Sequence, residues 1–180
     1  YLSNTIDDFR YFFKPQKEKE NFYLEKCCEK TVDLINPNFL NKDIQIIYKI
    51  ENIKISGYET ELIQVLINIL NNSKDALELL NEDEKLIFIN IFRKNDEAII
   101  EIKDNAGGIS EDIVDKVFEP YFTTKHQTQG TGIGLFMCKE IINKHMNGEI
   151  NILNEDFEYK NKTYKGTLTR VTLKNIIKDV

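Results

Sequence analysis

Residues 61–80 read ELIQVLINILNNSKDALELL and decide the fold, because their pattern has the period of an α-helix. At about 100° per residue, apolar and small side chains gather on one side of such a helix. The members of this stripe are Leu62, Leu66, Ile69, Ser73, Ala76, Leu77 and Leu80. We therefore predict a long helix over residues 59–80 with this stripe buried in the core.

A second face of the same helix is polar. Steps of three and four residues bring Glu61, Asn68, Asn72 and Asp75 to one side. Amide and carboxylate oxygens suit Mg²⁺, which keeps several waters and takes further ligands from substrate phosphates. The face is a candidate site for a nucleotide-bound metal, although such a row is equally typical of solvated helix surface in an Asn-rich chain.

The segment DNAGGI at residues 104–109 follows a strand predicted over residues 98–103. Gly107 and Gly108 allow a positive φ and a close approach of the backbone to a ligand. A buried Asp104 at the strand end would accept a hydrogen bond from an adenine amino group. A tight turn that closes a strand would use the same residue types, so this loop alone leaves both interpretations open.

A second glycine-bearing segment, QGTGIGL at residues 129–135, precedes a helix predicted over residues 133–145. Gly130, Gly132 and Gly134 would expose N–H groups at a helix start, where phosphate binds favourably. The segment is neither a P-loop nor a dinucleotide motif, because YFTTKHQTQ rather than a strand leads into it. Five of the chain's 8 glycines lie in these two loops, which is more than turn formation requires.

The remaining elements predict one α+β domain. Short strands are expected at residues 22–24, 44–50 and 54–58, with the last two as neighbours, and a helix over residues 25–35 ends before Pro37. Hairpin-like strand pairs follow at 85–93 with 98–103 and at 149–153 with 167–173. We expect a two-layer sandwich with a mixed, mostly antiparallel sheet covered by helices on one face.

Composition sets limits on function. A chain of 180 residues that is 41% hydrophobic and 30% charged supports one packed domain. The net charge of −6 argues against an extended nucleic-acid surface. The chain has neither an apolar run of the roughly 20 residues that span a bilayer nor a signal peptide, which predicts a cytoplasmic location without direct membrane contact. Its three cysteines are expected to be buried free thiols.

Four ordered motifs resemble those of one family, the ATP-binding catalytic domains of sensor histidine kinases in the GHKL superfamily. QVLINILNNSKDA at residues 64–76 resembles the N box, DNAGGI the first glycine box, VFEPYFTTK at 117–125 the F box, and GTGIGL at 130–135 the second glycine box. The resemblance covers nearly all of residues 17–173. It implies the GHKL (Bergerat) ATP-binding fold, with ATP and Mg²⁺ as ligands.

The resemblance also implies roles for individual residues. Asn72 would hold Mg²⁺ with Asn68 beside it, Asp104 would read the adenine, and residues 118–131 would form a lid over ATP. Lys125 in that lid would reach phosphate, or it is a solvated loop charge. The implied catalytic residues are Asn68, Asn72 and Lys125, and the implied nucleotide contacts are Asn72, Asp75, Asp104, Gly108, Ile109, Phe122, Gly130, Thr131, Gly132, Ile133, Gly134, Leu135 and Thr167.

Residue 68 separates the kinase interpretation from its main alternative. ATPases of the superfamily carry Glu at this position to activate water, and an amide cannot act as a base. Asn68 therefore favours a kinase over a nucleotide-gated clamp of the gyrase and chaperone kind, and a non-enzymatic docking module is a further alternative. The motifs also depart from the family pattern at two positions, Ala106 in the first glycine box and Ser73 in the N box. His126 and His145 are poor candidates for the phosphate acceptor.

Residues 1–16 resemble the end of a dimerisation helix, with Leu2, Ile6, Phe9 and Phe13 at helical spacing. The alternative is a terminal helix packed on the core. We predict the catalytic domain over residues 17–180. The expected partners are ATP, an upstream dimerisation domain bearing the phosphoacceptor histidine, and a response regulator receiver domain. The longer protein would be a homodimer, and whether it is membrane-anchored stays open.

Overall fold

The computed structural model describes residues 18–80, 84–124 and 130–177 of the chain. Seven strands and three α-helices alternate along these residues. They are β1 (Glu20–Tyr23), α1 (Leu24–Leu40), β2 (Ile44–Ile50), β3 (Lys54–Gly57), α2 (Glu59–Glu78), β4 (Lys85–Lys94), β5 (Glu97–Asp104), α3 (Gly134–Glu140), β6 (Gly148–Tyr159) and β7 (Lys162–Leu173). A 3₁₀ turn spans Val114–Lys116, and a π-helical turn, Ile141–His145, continues α3.

The main sheet has five strands in the order β2-β4-β5-β7-β6. The pair β2–β4 is parallel, and the other three pairs are antiparallel. Lys160 and Asn161 both have positive φ values, 49° and 63°. A two-residue turn of this kind matches the twist of its strands, so β6 and β7 form a tight hairpin. The predicted α+β class with a mixed, mostly antiparallel sheet is confirmed.

One hydrophobic core lies between the helices and the inner face of the sheet. It combines α2 side chains such as Leu62 and Leu66 with inward-facing strand residues such as Ile89 and Ile100, all at most 2% exposed. The helices therefore cover one face of the sheet, as predicted. The three cysteines Cys27, Cys28 and Cys138 are buried and free, which confirms that expectation as well.

The predicted end of the first helix is wrong. The helix α1 continues through Pro37 to Leu40 instead of ending near residue 35. A proline inside a helix removes one backbone hydrogen bond. Here Phe39, two residues after Pro37, is fully buried, and the burial of its ring offsets the lost hydrogen bond.

The predicted pairing of β2 with β3 is also wrong. The strand β2 lies at the edge of the main sheet beside β4, whereas β3 pairs antiparallel with β1 in a separate two-stranded sheet. The turn between β2 and β3 is short enough for a hairpin. However, α2 directly follows β3 and packs on the inner face of the main sheet. The Ile55 side chain of β3 is buried in the same core, so β3 lies with the helices.

Other predicted boundaries shift by smaller amounts. The last hairpin is much longer than expected, with twelve residues in each strand. On α2 the buried stripe includes Val65 and Leu70, whereas Ala76 and Leu80 are only partly buried. The stripe is therefore broader than the predicted one, because helix α1 covers its flank. None of the described helices has both the length and the apolar character that crossing a membrane requires.

Candidate functional site

Asp104 ends β5 and points its carboxylate into the fold, where the residue is 3% exposed. Its Oδ1 accepts the backbone N–H of Ala106 at 3.0 Å and that of Thr167 at 3.2 Å. Its Oδ2 accepts the Ser73 hydroxyl at 2.8 Å. Burial raises the pKa of the Asp104 carboxyl above its ordinary value, and these three donors partly oppose that rise. The carboxylate is held in one orientation and keeps acceptor capacity for a ligand.

The strand β7 approaches Asp104 so closely that only glycine fits beside it. A Cβ on Gly166 would lie 1.7 Å from the Asp104 carbonyl oxygen. The next residue, Thr167, gives its N–H to the same aspartate. Gly166 thus permits the contact that places Thr167 at the candidate adenine position.

The loop after Asp104 is fixed on both sides. The Asn105 side chain accepts the Leu86 N–H at 2.8 Å and donates to the Glu84 carbonyl at 2.9 Å. The Gly107 N–H donates to the Lys165 carbonyl at 2.9 Å, and Gly107 itself has a φ of 85°. The loop is therefore tied to β4 on one side and to β7 on the other.

The polar face of α2 lies beside the second glycine loop. A Cβ on Gly134 would lie 3.5 Å from Asn68 Oδ1, an ordinary contact distance, so the backbone of the loop runs close to this amide. The buried Cys138 thiol of α3 donates to the Val65 carbonyl of α2 at 3.8 Å, and burial raises the pKa of this thiol to about 12. Helix α2 and the loop before α3 thus face each other across a glycine.

Asn72 and Asp75 lie one and two turns further along α2, and both are partly buried. The Asp75 carboxylate is 3.3 Å from Lys74 Nζ. Glu61, at the other end of the face, pairs with His145 Nδ1 at 2.8 Å. Glu61 is therefore engaged by the π-helical turn, and the Asn68 amide is the member of this face that lies beside the glycine loop.

The F-box segment packs against the second glycine loop. Gly132 has a φ of 66°, and a Cβ there would lie 2.4 Å from the Tyr121 carbonyl carbon and 2.7 Å from the Phe122 carbonyl oxygen. Tyr121 is 72% exposed and has a φ of 65° itself. Gly132 therefore allows the backbones of the lid and the loop to touch.

The predicted site residues fall into two groups in space. The first surrounds Asp104 and comprises Asp104, Gly108, Ile109 and Thr167, connected to α2 through Ser73. The second comprises Asn68, Phe122 and the loop of Gly130, Thr131, Gly132, Ile133, Gly134 and Leu135. Ser73, which contacts the first group, and Asn68 of the second group both lie on α2, so this helix joins the two groups. Asn72 and Asp75 lie on the same helix. Lys125 lies outside the described residues.

Three residues that hold this site were not predicted for it. Ser73 was assigned to the core stripe, and its hydroxyl turns out to bind Asp104. Gly166 and Asn154 come from the last hairpin, where a strand pattern gives no sign of contact with a loop some 50 residues earlier. The dipeptide Lys165-Gly166 was the only available signal, because a glycine inside a strand often marks a close backbone approach.

Comparison with known proteins identifies the class. The family model of the histidine kinase-, DNA gyrase B-, and HSP90-like ATPases matches residues 57–176. The chain therefore belongs to this family.

Within the family the likeness is to sensor histidine kinases. Sporulation kinase E of Bacillus subtilis (strain 168) is 32% identical over 176 residues, which cover 96% of this chain and 22% of that protein. The chain thus spans about a fifth of the length of this relative, and it carries the ATP-binding catalytic domain of such a kinase.

Solved structures share the fold. The nucleotide-free catalytic domain of histidine kinase ThkA has a TM-score of 0.71 at 24% identity, covering 87% of this chain and 95% of that one. ThkA in complex with the response regulator protein TrrA has a TM-score of 0.70 at 21% identity, covering 96% and 47%. At this identity the likeness concerns the arrangement of the strands and helices.

Proposed function

We propose that this chain binds ATP with Mg²⁺ and presents the γ-phosphate to a histidine on an upstream dimerisation domain of the same protein. The phosphoryl group would then pass to a response regulator receiver domain. The observation that carries the proposal is Asp104, a buried carboxylate with three donors that lies one hydrogen bond from the residue after Asn72. Through this contact the proposed base site would lie beside Ser73, next to the proposed metal and phosphate site at Asn72 and Asn68 on the same helix.

Recognition of the base is proposed to depend on the charge of Asp104. An ionised carboxylate in a poorly solvated site accepts a strong hydrogen bond, so it would select a ligand that presents an amino group. Thr167 lies beside it through its N–H. Gly108 and Ile109 would complete the walls around the base.

The phosphate end depends on Asn72 and the second glycine loop. The amide oxygens of Asn68 and Asn72 fit Mg²⁺, which would neutralise phosphate charge when bound. The described residues contain no group of three or more His, Cys, Asp or Glu that could hold a metal by themselves, so Mg²⁺ would depend on the nucleotide for further ligands. Gly130, Gly132, Gly134 and Lys125 would line the phosphates.

Transfer would be an in-line displacement. A histidine ring nitrogen forms a bond to the γ-phosphorus while the bond to the bridging oxygen breaks, and ADP leaves with that electron pair. Such a reaction needs mainly positioning and charge neutralisation. The chain supplies both through α2 and the loops.

Helix α2 lacks a base for hydrolysis. Its residues 62–74 contain no Asp or Glu, Glu61 pairs with His145, and Asp75 pairs with Lys74. Water near the phosphates would find the amide of Asn68 instead. This supports phosphoryl transfer over the nucleotide-gated clamp.

The remaining parts of the proposal concern the longer protein. Residues 1–16 would be the end of the dimerisation helix and residues 17–180 the catalytic domain. The parent kinase would be a homodimer acting in the cytoplasm, whether or not it is anchored to a membrane.

A substitution at Asn72 tests the metal end of the site. In calorimetry with ATP and Mg²⁺, Asn72→Ala should bind as weakly as wild type does after removal of Mg²⁺, because only the metal-dependent part is lost. Asn71→Ala, its neighbour outside the predicted metal face, is the matched control. Wild-type affinity in the Asn72 variant would contradict the metal assignment.

The full-length kinase tests the transfer itself. Incubation with ATP labelled at the γ-phosphate should give a phosphohistidine that acid removes. Acid-stable label would contradict transfer to histidine, and rapid phosphate release without label would favour the clamp.

A further inference from the structure

The hairpin of β6 and β7 reaches beyond the sheet to which it belongs. Each strand has twelve residues, but β5 pairs only with residues 168–173 of β7. The far half of the hairpin, defined here as residues 154–159 and 162–167, therefore lies beyond the end of β5. The two strands pair with each other throughout this half.

Aromatic contacts hold the far half in place. Phe157 stacks on Tyr164 at 5.7 Å between ring centroids and meets Phe88 of β4 edge-on at 5.4 Å. Lys103 Nζ lies 4.2 Å from the Phe157 ring centroid. Such aromatic pairs typically contribute about 0.5–1.5 kcal/mol each beyond their buried area. The far half is thus anchored to the outer face of the sheet.

Asn154, in this half of β6, forms two hydrogen bonds with the first glycine loop. The Ile109 N–H donates to Asn154 Oδ1 at 2.7 Å, and Asn154 Nδ2 donates to the Ile109 carbonyl at 2.7 Å. The side-chain amide thereby satisfies both backbone groups of one residue, as a neighbouring strand would. Ile109 is the last residue of the loop that begins at Asp104.

The contact between Asn154 and Ile109 leaves no room for a side chain at Gly108, the residue before Ile109. A Cβ on Gly108 would lie 2.6 Å from Asn154 Oδ1, and the φ of Gly108 is 84°. Asn154 and Gly108 therefore form a matched pair, because the asparagine can reach Ile109 only across a glycine.

We infer that Asn154 is a positioning residue, which holds the loop between Asp104 and Ile109 in its binding conformation before nucleotide arrives. The inference rests on the nucleotide binding proposed above. At the other end, Thr167, the register partner of Asn154, fixes Asp104. With both ends fixed by one hairpin, the loop loses little conformational freedom on binding, and preorganisation of this kind raises affinity.

Two variants test the role. Asn154→Ala removes both hydrogen bonds and should weaken ADP binding about tenfold. It should also speed hydrogen exchange of the Ile109 amide, with little change in exchange across the core strands. Asn154→Asp keeps an acceptor for the Ile109 N–H but turns a carboxylate oxygen toward the Ile109 carbonyl, so repulsion should weaken ADP binding at least as much as in Asn154→Ala.

Asn151→Ala is the matched control, since Asn151 is exposed on the same strand and pairs in register with Arg170 instead of the loop. It should bind ADP like wild type. Wild-type affinity and Ile109 exchange in Asn154→Ala would overturn the inference. A wild-type chain that fails to bind ADP would instead overturn the proposed function, whereas the exchange measurement would still report on the loop.

Discussion

The two glycine-bearing loops of the site are held in different ways. The loop of residues 104–109 is tied by hydrogen bonds to β4, to β7 and to α2, with three donors on Asp104 alone. The loop of residues 130–135 is shaped by a backbone contact at Gly132 and by a long hydrogen bond of 3.4 Å from the Ile133 N–H to Thr131 Oγ1. The first loop is bonded to the sheet and to α2, whereas the second contacts the backbone of Tyr121 and Phe122.

This difference fits the two parts of a nucleotide. The base is rigid and uncharged, so a rigid pocket can be built for it in advance. In the proposed reaction the phosphates carry charge and must be reached by a protein acceptor, so we expect their loop to be held less rigidly than the first loop. The comparison predicts that breaking the close approach beside the first loop destabilises the whole domain and that removing the charge of Asp104 weakens base binding. Changes in the second loop should act mainly on phosphate binding.

Gly166→Ala should have the largest effect. A methyl group placed 1.7 Å from the Asp104 carbonyl forces β7 away from β5, and we expect a loss of about 3 kcal/mol in the free energy of unfolding. Urea denaturation measures it. Gly107→Ala is the control, because its Cβ would meet nothing within 4 Å and adds only the strain of a positive φ, about 1 kcal/mol. Equal losses in the two variants would contradict the close approach.

Asp104→Asn should weaken nucleotide binding about 10- to 150-fold while leaving stability near that of wild type. Asparagine Oδ1 can still accept from Ala106 and Thr167, and the Ser73 hydroxyl can turn to accept from Nδ2. The charged acceptor for the base is lost. Calorimetry gives the affinity, and Asp156→Asn, an exposed change on β6, is the control. Unchanged affinity for ADP would remove Asp104 from the site.

Gly132→Ala should lower ATP affinity several-fold and cost about 1–2 kcal/mol in the free energy of unfolding, because the positive φ alone costs about 1 kcal/mol. Its Cβ would press on the backbone of Tyr121 and Phe122, which a loop can relieve by moving. Adenosine binding should be unaffected, since it uses the first loop alone. If adenosine and ATP weaken equally, the two loops do not act separately.

Ser73→Ala should change the pH dependence of binding by a smaller amount. Burial raises the pKa of Asp104, and the Ser73 hydroxyl opposes that rise, so its removal raises the pKa further. Binding requires the ionised carboxylate and is lost as pH falls through this pKa. The ADP affinity of the variant relative to wild type should therefore decline toward lower pH, and a ratio independent of pH would contradict the link.

The same shift has a defined effect on stability. Because the folded pKa of Asp104 lies above its unfolded value, the unfolded chain releases the proton first as pH rises. Ionisation of this group thus lowers stability between the two pKa values, and the loss stays constant above the higher one. Asp104→Asn should abolish this part of the pH dependence, which urea titrations at several pH values would measure.

Much of the fold was predictable because its signals are local. The period of α2 and the hairpin-like pair of β4 and β5 depend on residues that are close in sequence. The pairing of β2 with β4 was not predictable, since it joins residues about 40 apart in the chain. The continuation of α1 through Pro37 depends on the burial of Phe39, which only the packed core supplies.

For the site, local sequence was enough to show which residue types are available: an amide face on α2, an aspartate at a strand end and glycines at two loops. Those features follow from helical period and backbone freedom, which neighbouring residues set. The contacts of Ser73 with Asp104, and of Gly166 and Asn154 with the first loop, came from the packing of distant segments. These contacts join segments far apart in sequence, and their distances arise only when the sheet has formed.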